Sequence, residues 1–322
     1  MRAAFIPARG QAVVVDAPMP ELKPGHALIR TRRLSLCGSD IHMLDYSAPE
    51  HYPMPLGATG HEMVGRVVAV DAPGSGVEVG DVALVLAPEQ HAMAEYYVAP
   101  IKHIFKLPTR RSIEEYLQAL QLGTVIYATK KLPNIVDKNV AVIGQGSAGL
   151  WWTMFLRRMG ARKVVAIDLQ EHRLAMSEHY GATHTIHNAG IDPLPQLRHI
   201  LNGNQPDLVV EAAGEVESIN LAIDLVKSSG FLLYFGVPRG EIMPIQFNKL
   251  FGKCLQIQAI VNANADPGFS CYHQALELID EGIADAKTII THSFPLERVM
   301  DAYELQRTRD EGAVKIVVET GE

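Results

Sequence analysis

Through the first hundred residues the apolar positions fall into short runs, at 12–15, 27–31, 65–70, 82–86 and 95–98, separated by Gly and Pro. Runs of this length bounded by turn residues predict strands, and their irregular spacing predicts a β-rich first domain. Beyond Leu107-Pro108 the period changes. A helical repeat over 112–131 precedes an unbroken apolar run at 140–143, a helix at 148–159 and a second run at 164–167. Strand and helix continue to alternate. A strand carrying Val209 and Val210 ends at Glu211-Ala212-Ala213-Gly214, a helix reaches Lys227, and 231–235 is again continuously apolar. Unbroken apolar runs are strands buried on both faces, as in a parallel sheet covered by helices. A helix at 271–281, the segment 288–294, another helix and a strand at 313–319 close the chain. The fold class read from this pattern is α/β.

At 322 residues the chain is long enough for two domains, and with 48% hydrophobic and 20% charged residues it can bury a core in each. Its longest apolar stretches, 82–87 and 149–156, fall well short of the roughly 18 residues a membrane span needs, so no membrane association is expected. The opening MRAAFIPARG has no apolar signal core, and three cysteines at 37, 254 and 271 are too few for a disulfide framework. A reducing cytoplasm is the expected location. A net charge of -7 without a basic run longer than two residues argues against nucleic acid, leaving a small molecule as the expected partner.

Residues 140–143 lead directly into Gly144-Gln145-Gly146-Ser147-Ala148-Gly149, and a helix with apolar Leu150, Trp151, Met154, Phe155 and Met159 opens at once. In this context GxGxxG is a dinucleotide loop. Gly144 allows the tight turn, Gly146 lets a pyrophosphate approach the backbone, and Gly149 allows the helix to pack close to the strand. The next strand ends at Asp168, 19 positions beyond Gly149, where a carboxylate accepts from the ribose hydroxyls and repels a 2′-phosphate. NAD is favoured over NADP. Arg173 either flanks the adenosine or is an exposed helix charge, and Trp151 and Trp152 read as packing residues.

Two further stretches carry chemistry: Cys37-Gly38-Ser39-Asp40-Ile41-His42 and Gly60-His61-Glu62. Thiolate, imidazole and carboxylate are the ligand types zinc takes, with a fourth position left open in catalytic sites. With these stretches and the glycine loop, the chain resembles the zinc-dependent medium-chain dehydrogenases, the alcohol, polyol and threonine dehydrogenase family, over nearly its whole length. Gly80-Asp81-Val82-Ala83, 290–296 and Val314-Lys315-Ile316-Val317 also look like family segments. The resemblance implies a GroES-like catalytic domain at 1–122 and 265–322, interrupted by a Rossmann domain at 123–264, with the active site in the cleft between them. It implies that Cys37 and His61 ligate zinc, with Glu62 a ligand or its near neighbour. Ser39 would hydrogen-bond the substrate oxygen, His42 would pass the proton to solvent through the cofactor ribose, and Asp40 would orient a ligand.

Two departures from the family stand out. The lobe that often carries four cysteines for a structural zinc is missing, since 81–97 reads DVALVLAPEQHAMAEYY. The family's further ligand falls at Gln121, a poor zinc ligand, although in the polyol branch the glutamate after the histidine binds instead. One catalytic zinc and no structural zinc are expected. His91 and Glu89 read as solvated loop residues, Tyr46, His51 and Met54 as candidate pocket walls, and Cys254 and Cys271 as buried packing thiols. The expectation is a zinc- and NAD-dependent enzyme oxidising a secondary alcohol, a polyol or sugar derivative, to its ketone. A zinc-free reductase and a non-catalytic dinucleotide-binding protein are the alternatives. By resemblance a homo-oligomer, dimer or tetramer, pairs through the edge strand at 255–260.

Overall fold

Along the strand His26–Ser35 the side chains of Ala27, Ile29 and Thr31 are buried while their neighbours are less so, the period of two that marks a sheet with one covered face. In the computed structural model, which describes residues 1–321, this strand is central to the first of two compact units. That unit comprises Met1–Gly123 and the C-terminal segment from Tyr272; the other is Thr124–Cys271.

The first unit begins with a hairpin, β1 (Arg2–Ala8) and β2 (Gln11–Asp16), turned at Gly10 with a positive φ. β1 was not expected: Arg2-Ala3-Ala4-Phe5 and Pro7 carry little β-forming signal of their own. Then follow β3 (His26–Ser35), α1 (Gly38–Tyr46), β4 (Glu62–Asp71), β5 (Val82–Leu86), β6 (Tyr96–Pro100) and β7 (Ile104–Lys106). The predicted helix at 112–131 is two helices, α2 (Ile113–Leu117), capped by Ser112 in a capping box with Glu115, and α3 (Ala119–Thr129). They part at Gln118, whose N–H bonds back only three residues to the carbonyl of Glu115 and so tightens the turn.

The second unit alternates strand and helix: β8 (Asn139–Ile143), α4 (Ser147–Arg158), β9 (Lys163–Asp168), α5 (Glu171–His179), β10 (His184–His187), α6 (Leu194–Ile200), β11 (Leu208–Glu211), α7 (Val216–Leu225), β12 (Phe231–Tyr234), α8 (Phe247–Gly252) and β13 (Gln256–Ala259), of which α5, β10, α6 and α8 are additional to the elements expected from the sequence. Its sheet runs β10-β9-β8-β11-β12-β13, all neighbours parallel. The strand order reverses between β8 and β11, which makes their carboxyl ends the switch point where such sheets bind ligands. Trp151 and Trp152 are fully buried and meet Tyr180 and Phe235 edge to face, so both are packing residues.

The chain returns through α9 (Ser270–Asp280), β14 (Ile290–Pro295), α10 (Val299–Thr308) and β15 (Lys315–Glu319). β14 and β15 complete a sheet ordered β14-β15-β3-β4-β5-β7, with β6 also paired to β3. Each unit has its own core, one built around Ile6, Leu34, Leu44, Met63 and Tyr303, the other around Ile143, Val165, Val209, Ile223 and Leu232. Among the described residues no helix is long and apolar enough to cross a membrane.

Candidate functional site

Cys37 ends the extended chain leaving β3 and stands as N-cap of α1, while His61 and Glu62 arrive from a separate loop that feeds β4. The loop reaches its position because Gly60 has φ +78°, and a Cβ there would lie 2.9 Å from Leu34 Cδ2 and 3.0 Å from the Met93 nitrogen. Together the two stretches bring the Cys37 thiol, a His61 ring nitrogen and a Glu62 carboxylate oxygen within 4.8 Å of one another.

A single buried carboxylate ties these stretches together. Asp40 accepts from the Cys37 N–H at 2.7 Å and from the Gly60 N–H at 2.9 Å, and its Oδ1 lies 3.7 Å from His61 Nδ1. Burial pushes the Asp40 carboxyl up, but His61 and the two N–H groups outweigh it and hold the group below the ordinary range. His61 is half-buried, and its removal from water disfavours its cation, yet Asp40 and Cys37 raise its pKa well above the usual value. Nε2 of the same ring lies 3.7 Å from Glu62 Oε1.

Lys315 was not singled out from the sequence. It is 1% exposed, and its Nζ donates to Glu62 Oε2 at 2.7 Å; the Ser35 hydroxyl donates to the same oxygen. The available signal was a lysine inside the apolar run Val314-Lys315-Ile316-Val317, since a lysine is almost never fully buried unless paired. The ammonium neutralises one side of Glu62 and leaves Oε1 toward His61. Ser39, on α1, keeps a buried hydroxyl with no hydrogen-bond partner, and the ring of His42 stacks at 6.1 Å on Tyr46 one turn further on. Behind the His61 loop, Thr59 shares a 2.6 Å hydrogen bond with the buried Tyr303.

Other expectations divide. Glu89 is exposed and His91 half-buried, with its carbonyl passing where a Cβ on Gly57 would sit. Tyr46 is half-buried and His51 exposed, but Met54 belongs to the hydrophobic core of the first unit. Gln121 holds a buried amide oxygen without a partner. Cys271 is buried as expected, whereas Cys254 is exposed, because it follows α8 in a left-handed turn at the surface.

In the second unit the loop 144–149 is shaped by backbone rather than charge. Gly144 has φ +87° and packs on Ala213, and a Cβ on Gly149 would lie 1.8 Å from the Gly144 carbonyl oxygen. At Gly146 the nearest atom to such a Cβ is Arg173 Nη1, at 3.7 Å. Ser147 and Ala148 begin α4, and no side chain caps its N–H groups. Asp168, buried at the end of β9, accepts from the Gln145 N–H at 2.5 Å and the Gln170 N–H at 2.8 Å. Gln145 is turned inward: its amide donates to the Val142 carbonyl and accepts from Thr153. Its side chain therefore braces the loop and offers a ligand nothing but backbone. Arg173 is only 8% exposed, which overturns its reading as a solvated helix charge.

Residues 148–281 match the zinc-binding dehydrogenase family, and residues 23–109 match the GroES-like domain of alcohol dehydrogenases. The chain belongs to the zinc-dependent medium-chain dehydrogenases. It is 27% identical over 336 aligned positions to L-threonine 3-dehydrogenase of Bacillus subtilis, covering 95% of each chain. Among solved structures, this dehydrogenase superposes on alcohol dehydrogenase TADH from Thermus sp. ATN1 with a TM-score of 0.84 at 26% identity, covering all of both chains. It has the fold of a putative zinc-binding dehydrogenase from Sinorhizobium meliloti bound to NADP, at TM-score 0.82 and 21% identity over 99% of each chain. The fold is thus a Rossmann-like parallel sheet joined to a GroES-like domain, and the protein is an oxidoreductase.

Proposed function

We propose that this dehydrogenase oxidises a secondary alcohol, a polyol, sugar derivative or similarly hydroxylated small molecule, to its ketone with NAD as hydride acceptor and one zinc per chain. The observation that carries this reading is the approach of Cys37, His61 and Glu62 to within 4.8 Å, since thiolate, imidazole and carboxylate are a fitting zinc donor set. The chain lacks the four closely spaced cysteines that would hold a second, structural zinc. The B. subtilis relative's name points to the 3-position of threonine, itself a secondary alcohol. L-threonine therefore joins polyols and sugars as a candidate substrate.

Zinc bound here supplies a Lewis acid that lowers the pKa of an alcohol oxygen toward neutrality. The protein's own residues do the rest. Asp40 fixes the distance between the Cys37 and His61 loops and orients the imidazole, as carboxylates behind metal-bound histidines do. Lys315 neutralises Glu62 Oε2 and leaves Oε1 for the metal. Ser39 has a hydroxyl in need of a partner and takes a hydrogen bond with the substrate hydroxyl, and His42, three residues on along α1, carries the released proton toward solvent.

For the dinucleotide, the bare backbone at Gly146 and the start of α4 suit a pyrophosphate. Asp168 at the end of β9 disfavours a 2′-phosphate by like-charge repulsion, with Arg173 Nη1 3.7 Å from where a Cβ on Gly146 would sit. A homo-oligomer, a dimer or tetramer, forms through β13, an edge strand whose four residues are all exposed, flanked by exposed Phe247, Phe251 and Val261. The test of the reaction is NADH formation on a panel of polyols, sugars, L-threonine and simple secondary alcohols, run beside NADP. Turnover lost on chelation supports the reading. Turnover in metal-free protein favours the zinc-free reductase, for which the neutral Gln121 is the sequence argument, and binding without turnover on any alcohol favours a non-catalytic nucleotide-binding protein.

A further inference from the structure

Glu211, the last residue of β11, carries a fully buried carboxyl group, and the chemistry proposed above does not use it. In register it stands between Ile143 of β8, which leads into the glycine loop, and Tyr234 of β12, so it sits at the switch point itself. Its Oε1 accepts three hydrogen bonds of 2.8 Å each, from the N–H groups of Ala213 and Gly214 and from the Ser218 hydroxyl on α7. Its backbone carbonyl accepts from Phe235 and Gly236. Oε2 has no partner and faces Gly236, where a Cβ would lie 2.8 Å away.

The turns after β11 and β12 are interlocked around this group. A Cβ on Gly236 would meet the Gly214 nitrogen at 2.3 Å, and one on Gly214 would meet the Val237 carbonyl oxygen at 2.0 Å. On the opposite side Ala213 packs against Gly144. The 212–214 turn is therefore the wall of the crevice facing the glycine loop, and its path depends on one buried carboxyl. In doubly wound sheets the half carrying the fingerprint glycines takes the adenosine and pyrophosphate, and the second half takes the nicotinamide end.

We propose that Glu211 is a positioning residue for the nicotinamide half of the cofactor: as a neutral carboxylic acid it sets the 212–214 and 235–237 turns against each other. An ionised form would leave a charged Oε2 buried without a donor, which is costly. Burial raises the pKa of this carboxyl despite its three donors, with Glu215 adding to the effect, in agreement with the neutral form. The assignment rests on the reading of 144–149 as a dinucleotide loop.

The experiment compares binding of NADH, by fluorescence, with binding of ADP, by calorimetry, for the full chain and for Glu211→Ala, Glu211→Gln and Ser218→Ala. ADP reports on the adenosine half alone. Glu211→Ala is expected to weaken NADH about tenfold or more while ADP stays within about twofold, because displaced turns misplace one half of the ligand. Glu211→Gln, a neutral isostere, is expected to restore NADH to within about threefold of the parent. Should Glu211→Ala fail to fold, Ser218→Ala decides, with NADH weakened about threefold and ADP unchanged as the supporting result. Equal weakening of both ligands, unchanged NADH affinity, or a glutamine variant as impaired as alanine overturns the proposal. If the parent binds ADP and NADH and only this pattern fails, the dinucleotide reading stands without it. If the parent binds neither, both fall.

Discussion

Around Cys37, His61 and Glu62 the fold is held by charged side chains taken out of water: Asp40, Glu62 and Lys315 are 0%, 2% and 1% exposed. Around Gly144–Gly149 it is held by backbone N–H groups and by the absence of Cβ atoms, with Asp168 anchoring the loop through the Gln145 N–H. The two constructions fail in different ways. A charge-built cluster tolerates changes of shape but not the loss of one partner, because the charge left behind is buried and uncompensated. A backbone-built loop is insensitive to neutralisation and sensitive to a single methyl group.

The largest effect is expected where a buried pair is broken. Lys315→Met strands Glu62 with the Ser35 hydroxyl as its remaining donor, and should cost about 3–5 kcal/mol of stability by chemical denaturation. Adding Glu62→Gln should recover most of that loss; if Lys315→Met alone is harmless, the charge-built account of the cluster is wrong. In the other region Gly149→Ala places a Cβ 1.8 Å from the Gly144 oxygen and should cost about 1–3 kcal/mol or more together with NADH binding. Gly146→Ala sharpens the contrast. It meets only Arg173, so its thermal unfolding should move little, within about 0.5 kcal/mol, while NADH affinity falls because the methyl occupies the pyrophosphate's approach.

A smaller effect is expected of Asp40→Asn, which keeps the shape but replaces an acceptor oxygen facing an N–H. Zinc affinity, measured by competition with a chelating dye, should drop about 10- to 100-fold. An unchanged affinity would relieve Asp40 of its role in holding the two loops. The smallest concerns a polar cluster in the second unit. Burial would raise the carboxyl of Asp266, but the N–H and thiol of Cys271, the Ser270 hydroxyl and Lys130 pull it down to about 2. A depressed carboxyl contributes stability above its unfolded pKa and loses it as the pH falls through its folded value. Asp266→Asn should therefore cost about 1–2 kcal/mol at neutral pH, and the difference from the parent should vanish between about pH 4 and pH 2.

The same contrast explains what could be read from the chain. The glycine loop was legible because its chemistry is contiguous: strand, Gly144, Gly146, Gly149, helix and Asp168 follow one another within one strand–helix–strand unit. The metal-type cluster was legible only as separate stretches, since nothing local says that residues 37 and 61 converge. Asp40's link to Gly60 and Lys315's to Glu62 are long-range contacts, invisible to periodicity. The two readings of Arg173 could not be separated in the sequence for a related reason. α5 is polar in sequence, and only the fold turns this guanidinium toward Gly146. β10, with Ile186 as its one buried residue, gave too little pattern to register as a strand.

The most direct test is the metal content of protein purified without added zinc, measured in parallel on the parent and on Cys37→Ser. The account predicts about one zinc per chain in the parent, lost in the variant together with NADH formation on the alcohol that the parent oxidises. A parent that holds no zinc, or a Cys37→Ser variant that retains it, would contradict the assignment of Cys37, His61 and Glu62 as the metal site.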